Sequence, residues 1–161
     1  MLVLGIDPGL ATTGYGLVAG DEQTLRPVAY GVVRTPPHVP TADRLAVLYD
    51  ELQRIVAEFS PDQAAVEELF FATNARTAIT VSQARGVVLL ALAKCGLCAA
   101  EYTPLEVKQS TTGYGQADKP QVQEMVRLLL GLREIPRPDD AADALAIAIC
   151  HLSHSRLAGL T

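Results

Sequence analysis

The sequence predicts an α/β fold, a mixed five-stranded sheet flanked by helices on both faces. Two features of the chain order lead to this prediction. Three apolar, strand-like segments come first, at residues 2–7, 14–19 and 27–33. Two further strand-like segments then alternate with helical patterns, at 63–69 and 97–102. Consecutive strands followed by alternating strands and helices are typical of a mixed sheet covered by helices.

The length and composition are those of one globular domain, which we expect to span residues 1–161. About half of the residues, 49%, are hydrophobic, which is enough for a buried core and argues against disorder. No apolar run is long enough to span a membrane, and the amino-terminal segment lacks the basic start of a signal peptide. The odd count of 3 cysteines favours a reducing, cytoplasmic location.

Cys95 and Cys98 form a single C-x-x-C motif. A zinc or redox site needs a second pair, or histidines at ligand spacing, and His151 and His154 belong to a different predicted element. We therefore interpret these cysteines as small apolar filler residues.

The first three strands are bounded by turn residues. Residues 2–7 form a nearly continuous apolar run, which indicates a buried strand, and Pro8-Gly9 break it. The segments 14–19 and 27–33 are joined by an acidic turn at Asp21-Glu22, which predicts a hairpin.

Helices are indicated by apolar spacing and by capping residues. Thr41 is expected to cap a helix that runs to about residue 59, because the apolar residues recur every three or four positions. Thr103 begins a capping box with proline at the first helical position. Asp118 is expected to cap a further helix at 119–130.

Residues 74–94 predict a long helix whose second half, 86–93, is apolar all round. Such a helix is covered on more than one side. The second cover is either another copy of the chain, which predicts a homodimer, or the core of a monomer.

Acidic residues end two of the apolar strands. Asp7 closes the first strand, where it either binds a cation or starts the Asp-Pro-Gly turn. Glu67 and Glu68 end the fourth strand. Neighbouring strand residues face opposite ways, so only one of the two shares a face with Asp7, and periodicity does not decide which.

Asp140 and Asp143 lie three apart near the start of the alanine-rich last helix, which Pro138 opens, so they share a helix face. Acids in a first helical turn also complement the helix dipole, which accounts for Asp140 better than for Asp143. If this helix crosses the sheet beside the first and fourth strands, the acids converge with Asp7 and repel one another strongly without a cation. Oxygen ligands suit Mg²⁺ or Mn²⁺, and two such ions can clamp the attacking and leaving oxygens of a phosphodiester.

Eight short motifs, in order along the chain, resemble the RuvC family of Holliday-junction resolvases, the crossover junction endodeoxyribonucleases. Each motif is modest alone, and together they are highly specific. They are G-I-D-P-G at 5–9, T-G-Y-G at 13–16, A-V-E-E-L-F at 65–70, N-A-R-T-A at 74–78, S-Q-A-R-G-V at 82–87, V-K-Q at 107–109, K-P-Q-V at 119–122 and D-A-A-D-A-L-A-I-A at 140–148.

The resemblance implies a ribonuclease-H-like fold and a homodimeric, structure-specific endonuclease. Such an enzyme resolves four-way (Holliday) DNA junctions by paired symmetric nicks, and it works beside the branch-migration proteins RuvA and RuvB. Two Mg²⁺ ions per active site are implied, with Mn²⁺ able to substitute. The resemblance also implies metal-binding, catalytic residues at Asp7, Glu67, Asp140 and Asp143, with Asp139 an additional acid beside them.

Further residues are candidates for DNA contact. Phe70 and Phe71 follow the fourth strand, and the family position indicates Phe70 for base stacking, although either ring could instead close the core. Matching positions indicate Lys119 as a catalytic residue and phosphate contact and Lys108 as a second phosphate contact, the alternative being solvated surface charges. Arg76 begins the next helix and is a candidate for a backbone phosphate contact.

Two other functions stay open on the sequence. The segment D-P-G-L-A-T-T-G at 7–14 also resembles the first phosphate loop of actin-like ATPases and sugar kinases, but those proteins need two lobes and a second phosphate loop. A non-catalytic junction-binding module would not need convergent acids, and its net charge should be basic, whereas the net charge here is −5.

Overall fold

The computed structural model describes residues 1–21, 24–68 and 75–158. The side chains of residues 75, 76 and 156–158 fall outside that description. The order of strands and helices is the one predicted. The elements are β1 (Leu2–Asp7), β2 (Thr12–Gly20), β3 (Leu25–Arg34), α1 (Thr41–Phe59), β4 (Gln63–Glu67), α2 (Ala75–Lys94), β5 (Ala99–Tyr102), α3 (Pro104–Thr112), α4 (Lys119–Leu129) and α5 (Asp139–Ala158).

The five strands form one sheet in the order β3-β2-β1-β4-β5. The consecutive strands β1, β2 and β3 pair antiparallel, whereas β4 pairs parallel to β1 and β5 pairs parallel to β4. The prediction of a mixed five-stranded sheet is therefore confirmed. Parallel pairing of β1 and β4 brings their carboxyl ends to the same edge of the sheet, since α1 returns the chain between them.

A hydrophobic layer covers each face of the sheet. Leu4, Ile6 and Val66 point to the layer beneath α1 and α2. Val3 and Ala65, one position away on the same strands, point to the layer beneath α5, which also holds residues of α3 and α4. Because successive strand residues alternate between faces, odd-numbered residues of β1 and β4 face α5.

The helix that is covered on two sides is α5. It lies against the sheet on one side and against α3 and α4 on the other, and residues 144–150 are all buried. The apolar half of α2 is covered on one side only by the described residues, and Leu90 is 51% exposed. Within the described ranges, no helix combines the length and apolarity that crossing a bilayer requires.

Two of the three predicted helix caps are present. The side chain of Thr103 accepts a hydrogen bond from the Glu106 N–H, and that of Asp118 accepts one from the Gln121 N–H. The cap predicted at Thr41 is wrong, since Pro40 is the N-cap and Thr41 is already helical. Pro40 has an extended backbone and no hydroxyl, so this helix begins without a side-chain cap hydrogen bond.

The interpretation of the cysteines needs a correction. Cys95 is half-buried beside the α1–α2 layer, but Cys98 is exposed and does not fill the core. It precedes β5, which begins at Ala99 and not at the predicted residue 97. The thiol therefore lies on an exposed connecting segment, where apolar packing does not select the residue type.

Candidate active site

Helix α5 lies directly on the main chain of β1 and β2. A Cβ atom placed on Gly5 would collide with the carbonyl oxygen of Ala144, and one placed on Gly14 would collide with the carbonyl oxygen of Asp140. The glycines of the sheet and the alanines of the helix thus permit a contact that larger side chains would prevent. This contact sets the carboxyl groups of α5 above the end of β1.

Asp7 and Glu67 lie side by side at the carboxyl ends of two parallel strands. Ile6 pairs with Val66, so the next residue of each strand is Asp7 and Glu67. Both belong to the odd-numbered set that faces α5. Glu68 follows the end of β4 and is exposed, and its N–H donates to the carbonyl oxygen of Tyr102 at 2.8 Å. The choice left open by periodicity is thereby decided by register, in favour of Glu67.

The charge environment shows that the four acids are neighbours. Burial, together with the negative charges of Glu67, Asp143 and Asp140, raises the pKa of Asp7 from 3.8 to about 8, and the positive charge of Lys119 opposes the rise. Burial and the charge of Asp143 raise the pKa of Glu67 to about 7. Acids from β1, β4 and α5 therefore meet in one partly buried region, as the sequence predicted.

Lys119 pairs with the acids at the start of α5. Its Nζ donates to Oδ2 of Asp143 at 2.8 Å and lies 3.8 Å from Oδ2 of Asp139. Burial raises the pKa of Asp143, and this hydrogen bond opposes the rise. Burial alone would lower the pKa of Lys119, but Asp143, Asp139 and Asp140 together raise it. Lys119 is thus a fixed positive charge beside the acids.

A cavity of about 250 Å³ lies between the acids and the lysines. Glu67, Asp143, Lys108 and Lys119 line it together with apolar residues of α3, α4 and α5. The positive charge of Lys108 also opposes the rise in the pKa of Glu67. The cavity therefore offers acidic oxygens on one wall and ammonium groups on another.

The chemistry of these residues fits a hard divalent cation. Asp7 and Glu67 hold protons at pH values where ordinary carboxyl groups have lost them, and a cation bound by their oxygens would relieve the same repulsion. As the side chains stand, no three histidine, cysteine, aspartate or glutamate residues in the described parts are arranged to hold a metal ion. The hydrogen bond from Lys119 instead compensates Asp143.

Asp139 differs from its neighbours in its partners. Its Oδ1 accepts a hydrogen bond from Nη1 of Arg137 at 2.8 Å, and its other oxygen lies near Lys119. Both carboxylate oxygens thus have basic partners outside the cluster of Asp7, Glu67, Asp140 and Asp143.

The remaining candidates for DNA contact cannot be placed in the same way. Phe70 and Phe71 lie outside the described residues. Arg76 is the second residue of α2, and its side chain is outside the description.

One residue near the site was not identified from the sequence. Nε of Arg85, on α2, donates to the main-chain oxygen of Glu67 at 3.3 Å, and its guanidinium forms an ion pair with Glu101. Arg85 therefore ties the end of β4 to α2 and β5. It lies within the S-Q-A-R-G-V motif, but a single arginine on a helix does not reveal which strand it faces.

The chain is similar to known proteins over nearly its whole length. The family model described as crossover junction endodeoxyribonuclease RuvC matches residues 3–151. The crossover junction endodeoxyribonuclease RuvC of Desulfitobacterium hafniense is 61% identical over 96% of this chain and 93% of its own length. That of Chloroflexus aggregans is 60% identical over 94% of this chain and 92% of its own.

Solved structures of Holliday-junction resolvases are also similar to this chain. Thermus thermophilus RuvC in complex with a Holliday junction substrate matches with a TM-score of 0.94 at 40% identity, covering 98% of this chain and 96% of that one. The fowlpox virus resolvase in complex with junction DNA, at 12% identity and a TM-score of 0.63, shares the fold. Matches of this extent do not favour an ATPase-related domain or a non-catalytic binding module.

Proposed function

The chain belongs to the RuvC family of crossover junction endodeoxyribonucleases, and we propose on that premise that it resolves four-way DNA junctions by paired symmetric nicks. The observation that supports this most directly is the cluster of Asp7, Glu67, Asp140 and Asp143 beside Lys119. The reaction is hydrolysis of a phosphodiester bond at this cluster.

Asp7, Glu67, Asp140 and Asp143 would hold the divalent cations, two Mg²⁺ ions in each active site, for which Mn²⁺ can substitute. When bound, a pair of such ions supplies Lewis acidity and stabilises the charge on the attacking and leaving oxygens. Asp7 and Glu67 come from rigid strands, so their carboxyl groups are held in place before substrate arrives. Asp140 and Asp143 approach from α5.

The two lysines would neutralise the phosphate that is cleaved. Lys119 acts as a catalytic residue, because its ammonium, held beside Asp143, is a positive charge that can stabilise the negative charge of the transition state. Lys108, on the same cavity wall, binds a phosphate oxygen. Phe70, Phe71 and Arg76 remain proposed contacts to bases and backbone.

The test of this function is a cleavage assay on a synthetic four-way junction, with a linear duplex of the same sequence as the substrate control. We expect symmetric nicks in the junction only, loss of cleavage with a chelator, and recovery with Mg²⁺ or Mn²⁺. Cleavage of both substrates at equal rates would contradict the proposed specificity.

The matched pair Glu67→Gln and Glu68→Gln tests the proposed site. Both changes remove one acid from adjacent positions, but only Glu67 faces α5. Glu67→Gln should remove cleavage and Glu68→Gln should retain it. Equal activity of the two variants would contradict the assignment of the metal ligands.

We propose that the active form is a homodimer that joins through α2. Ile79 is 60% exposed and Leu90 51% exposed, and they lie on one stripe of the helix with Gln83 and Gly86. The opposite stripe of α2 is buried against the sheet. If a second copy packed its own exposed stripe against the exposed stripe of this one, the apolar side chains of both copies would be buried. The dimer would then present two active sites to a junction of similar symmetry.

Sedimentation velocity at micromolar concentration tests the dimer. Leu90→Glu should give monomers, whereas Leu128→Glu, at a leucine of α4 that is 55% exposed, should leave the dimer intact. A wild-type protein that sediments only as a monomer would contradict the dimer. As the family resemblance implies, the dimer is expected to act with RuvA and RuvB.

A further inference from the structure

A second recess lies on the other side of Asp140 from the lysine-lined cavity. Its volume is about 420 Å³, and the turn between β1 and β2, the first turn of α1 and the first two turns of α2 line it. Its polar residues are Thr12, Arg44, Thr77, Thr80 and Asp140. Asp143 borders the first cavity and Asp140 borders this groove, so the acids stand between two recesses.

Arg44 is the cation of this groove. Its Nε donates to Oγ1 of Thr35 at 2.8 Å, and Thr35 in turn donates to the carbonyl oxygen of Leu10 at 2.5 Å. The guanidinium is therefore anchored along one edge. Among the described residues, no carboxylate forms an ion pair with Arg44, and Thr35 is the only hydrogen-bond partner of its guanidinium. The remaining N–H donors of a guanidinium are suited to an acceptor group that offers two oxygens, such as a carboxylate or a phosphate.

We infer that this groove binds a backbone phosphate of the DNA strand that is cleaved, with Arg44 as its charged contact. The inference rests on the proposed function and adds a substrate subsite to it. A strand whose scissile phosphate lies over the acids has another phosphate on each side. Lys108 and Lys119 serve one side, and Arg44 is the cation that lines the recess on the other.

The composition of the groove suits a phosphate better than other ligands. Arginine binds phosphate through paired N–H groups, and threonine hydroxyls are common donors to phosphate oxygens. The protein carries a net charge of −5, so attraction to DNA must come from local positive charge rather than from the whole molecule. Arg44, which has no carboxylate partner among the described residues, provides such a charge in the groove that Asp140 also lines.

The salt dependence of junction binding tests the inference without requiring cleavage. The dissociation constant of a labelled four-way junction is measured in chelator over a series of salt concentrations. Removal of one phosphate contact should lower the slope of log Kd against log salt by about 0.9. Arg44→Gln should show that loss and bind about tenfold more weakly at low salt. Arg54→Gln, an exposed arginine of the same helix paired with Glu51, should behave as wild type.

Two further variants separate a phosphate contact from a structural role. Arg44→Lys keeps the charge but not the Nε hydrogen bond, so it should retain the wild-type salt slope. Thr77→Asp places a negative charge in the groove at an exposed first-turn position, where an acid does not disfavour the helix, and should weaken binding at least about tenfold. Thermal melting confirms that each variant is folded.

The outcomes distinguish this inference from the proposed function. If the wild type binds and cleaves junctions while Arg44→Gln and Thr77→Asp bind as wild type does, the groove is not a phosphate site and the function stands. If Arg44→Lys loses stability together with Arg44→Gln and neither changes the salt slope, the role of Arg44 is structural. If the wild type shows no preference for junctions, both conclusions fail.

Discussion

The two faces of the sheet differ in the residues that cover them. The face under α1 and α2 is packed with large aliphatic side chains, among them Leu4, Ile6 and Leu48, all fully buried. The face under α5 has glycines where the helix crosses, and it ends in a group of acids. Both faces therefore gain stability from buried apolar area, but only the face under α5 also brings main chains close enough for side chains from separate strands and a helix to meet.

This difference suggests that stability and catalysis are separable in this protein. Substitutions in the α1–α2 layer should change the free energy of unfolding but not the chemistry of each folded molecule. Substitutions among the acids should change the chemistry of each folded molecule, and they should change the free energy of unfolding mainly where the acids lose their protons. The contact between α5 and the glycines links the two properties, and a change there should affect both.

The largest effect is expected from Asp7→Asn. Loss of one carboxylate from the proposed metal site should lower the cleavage rate by roughly a thousandfold or more, on the scale of removing one main electrostatic contributor. Junction binding should be largely retained, because the groove and the lysines are unchanged. Single-turnover cleavage and Kd measurements check this, and full activity of the variant would refute the role of Asp7.

Leu48→Ala should have the next largest effect, and on stability alone. Leu48 is fully buried in the α1–α2 layer, and a leucine truncated to alanine in a core costs about 2–5 kcal/mol. Urea unfolding measures this loss, while the cleavage rate per folded molecule should match wild type. A reduced rate at temperatures where the variant is fully folded would show that the two faces are coupled.

Gly5→Ala tests the contact that joins both properties. Its new methyl group would meet the carbonyl oxygen of Ala144, so α5 must move and stability should fall by about 1–3 kcal/mol. Cleavage should fall as well, because Asp140 and Asp143 move with the helix. Gly115→Ala is the stability control, since its nearest neighbour is the flexible end of Leu105. Unchanged activity of Gly5→Ala would show that this close contact does not position the acids.

The last expected effect is a pH dependence of the stability of the metal-free protein. The pKa of Asp7 is raised from 3.8 to about 8 and that of Glu67 from 4.5 to about 7, so the folded state binds protons more tightly than the unfolded state. Their favourable contribution is complete at low pH and is lost as pH rises through the folded values, so stability should fall between about pH 4 and pH 8. Melting curves in chelator measure this trend, which Asp7→Asn should flatten.

Addition of Mg²⁺ is the control for that trend. A cation held by the same oxygens competes with protons, so its stabilising effect should be greater at pH 8 than at pH 6. A melting temperature that rises with pH in chelator would contradict the proposed crowding of the acids.

The sequence was sufficient for the order of elements, because apolar spacing and turn residues are local signals. It also indicated convergence of the acids, since Asp7 and Glu67 end strands and Asp143 lies on an alanine-rich helix. It did not identify the face of Glu67, because that depends on register between β1 and β4. The resemblance of the A-V-E-E-L-F motif to the RuvC family independently indicated Glu67 rather than Glu68.

Other features could not be predicted because they depend on distant parts of the chain. The pairing of Lys119 with Asp143 requires α4 to lie beside α5, and the position of Arg44 requires the first turn of α1 to face the β1–β2 turn. The cap expected at Thr41 failed for a more local reason, since Pro40 occupies the capping position itself. The sequence pattern predicted that α2 is covered on more than one side, by a second copy or by the core of a monomer; within one chain the described residues cover it on one side, and α5 is covered on two.

The close contact of α5 with Gly5 and Gly14 limits which substitutions can be used to engineer this protein. Where two main chains touch, there is no rotamer to adjust, so a substitution cannot be absorbed by repacking its neighbours. A thermostable variant could be sought by exchanging aliphatic residues of similar volume under α1 and α2. A library covering every position should then tolerate aliphatic exchanges under α1 and α2, and it should retain only glycine at Gly5 and Gly14, where α5 touches the sheet.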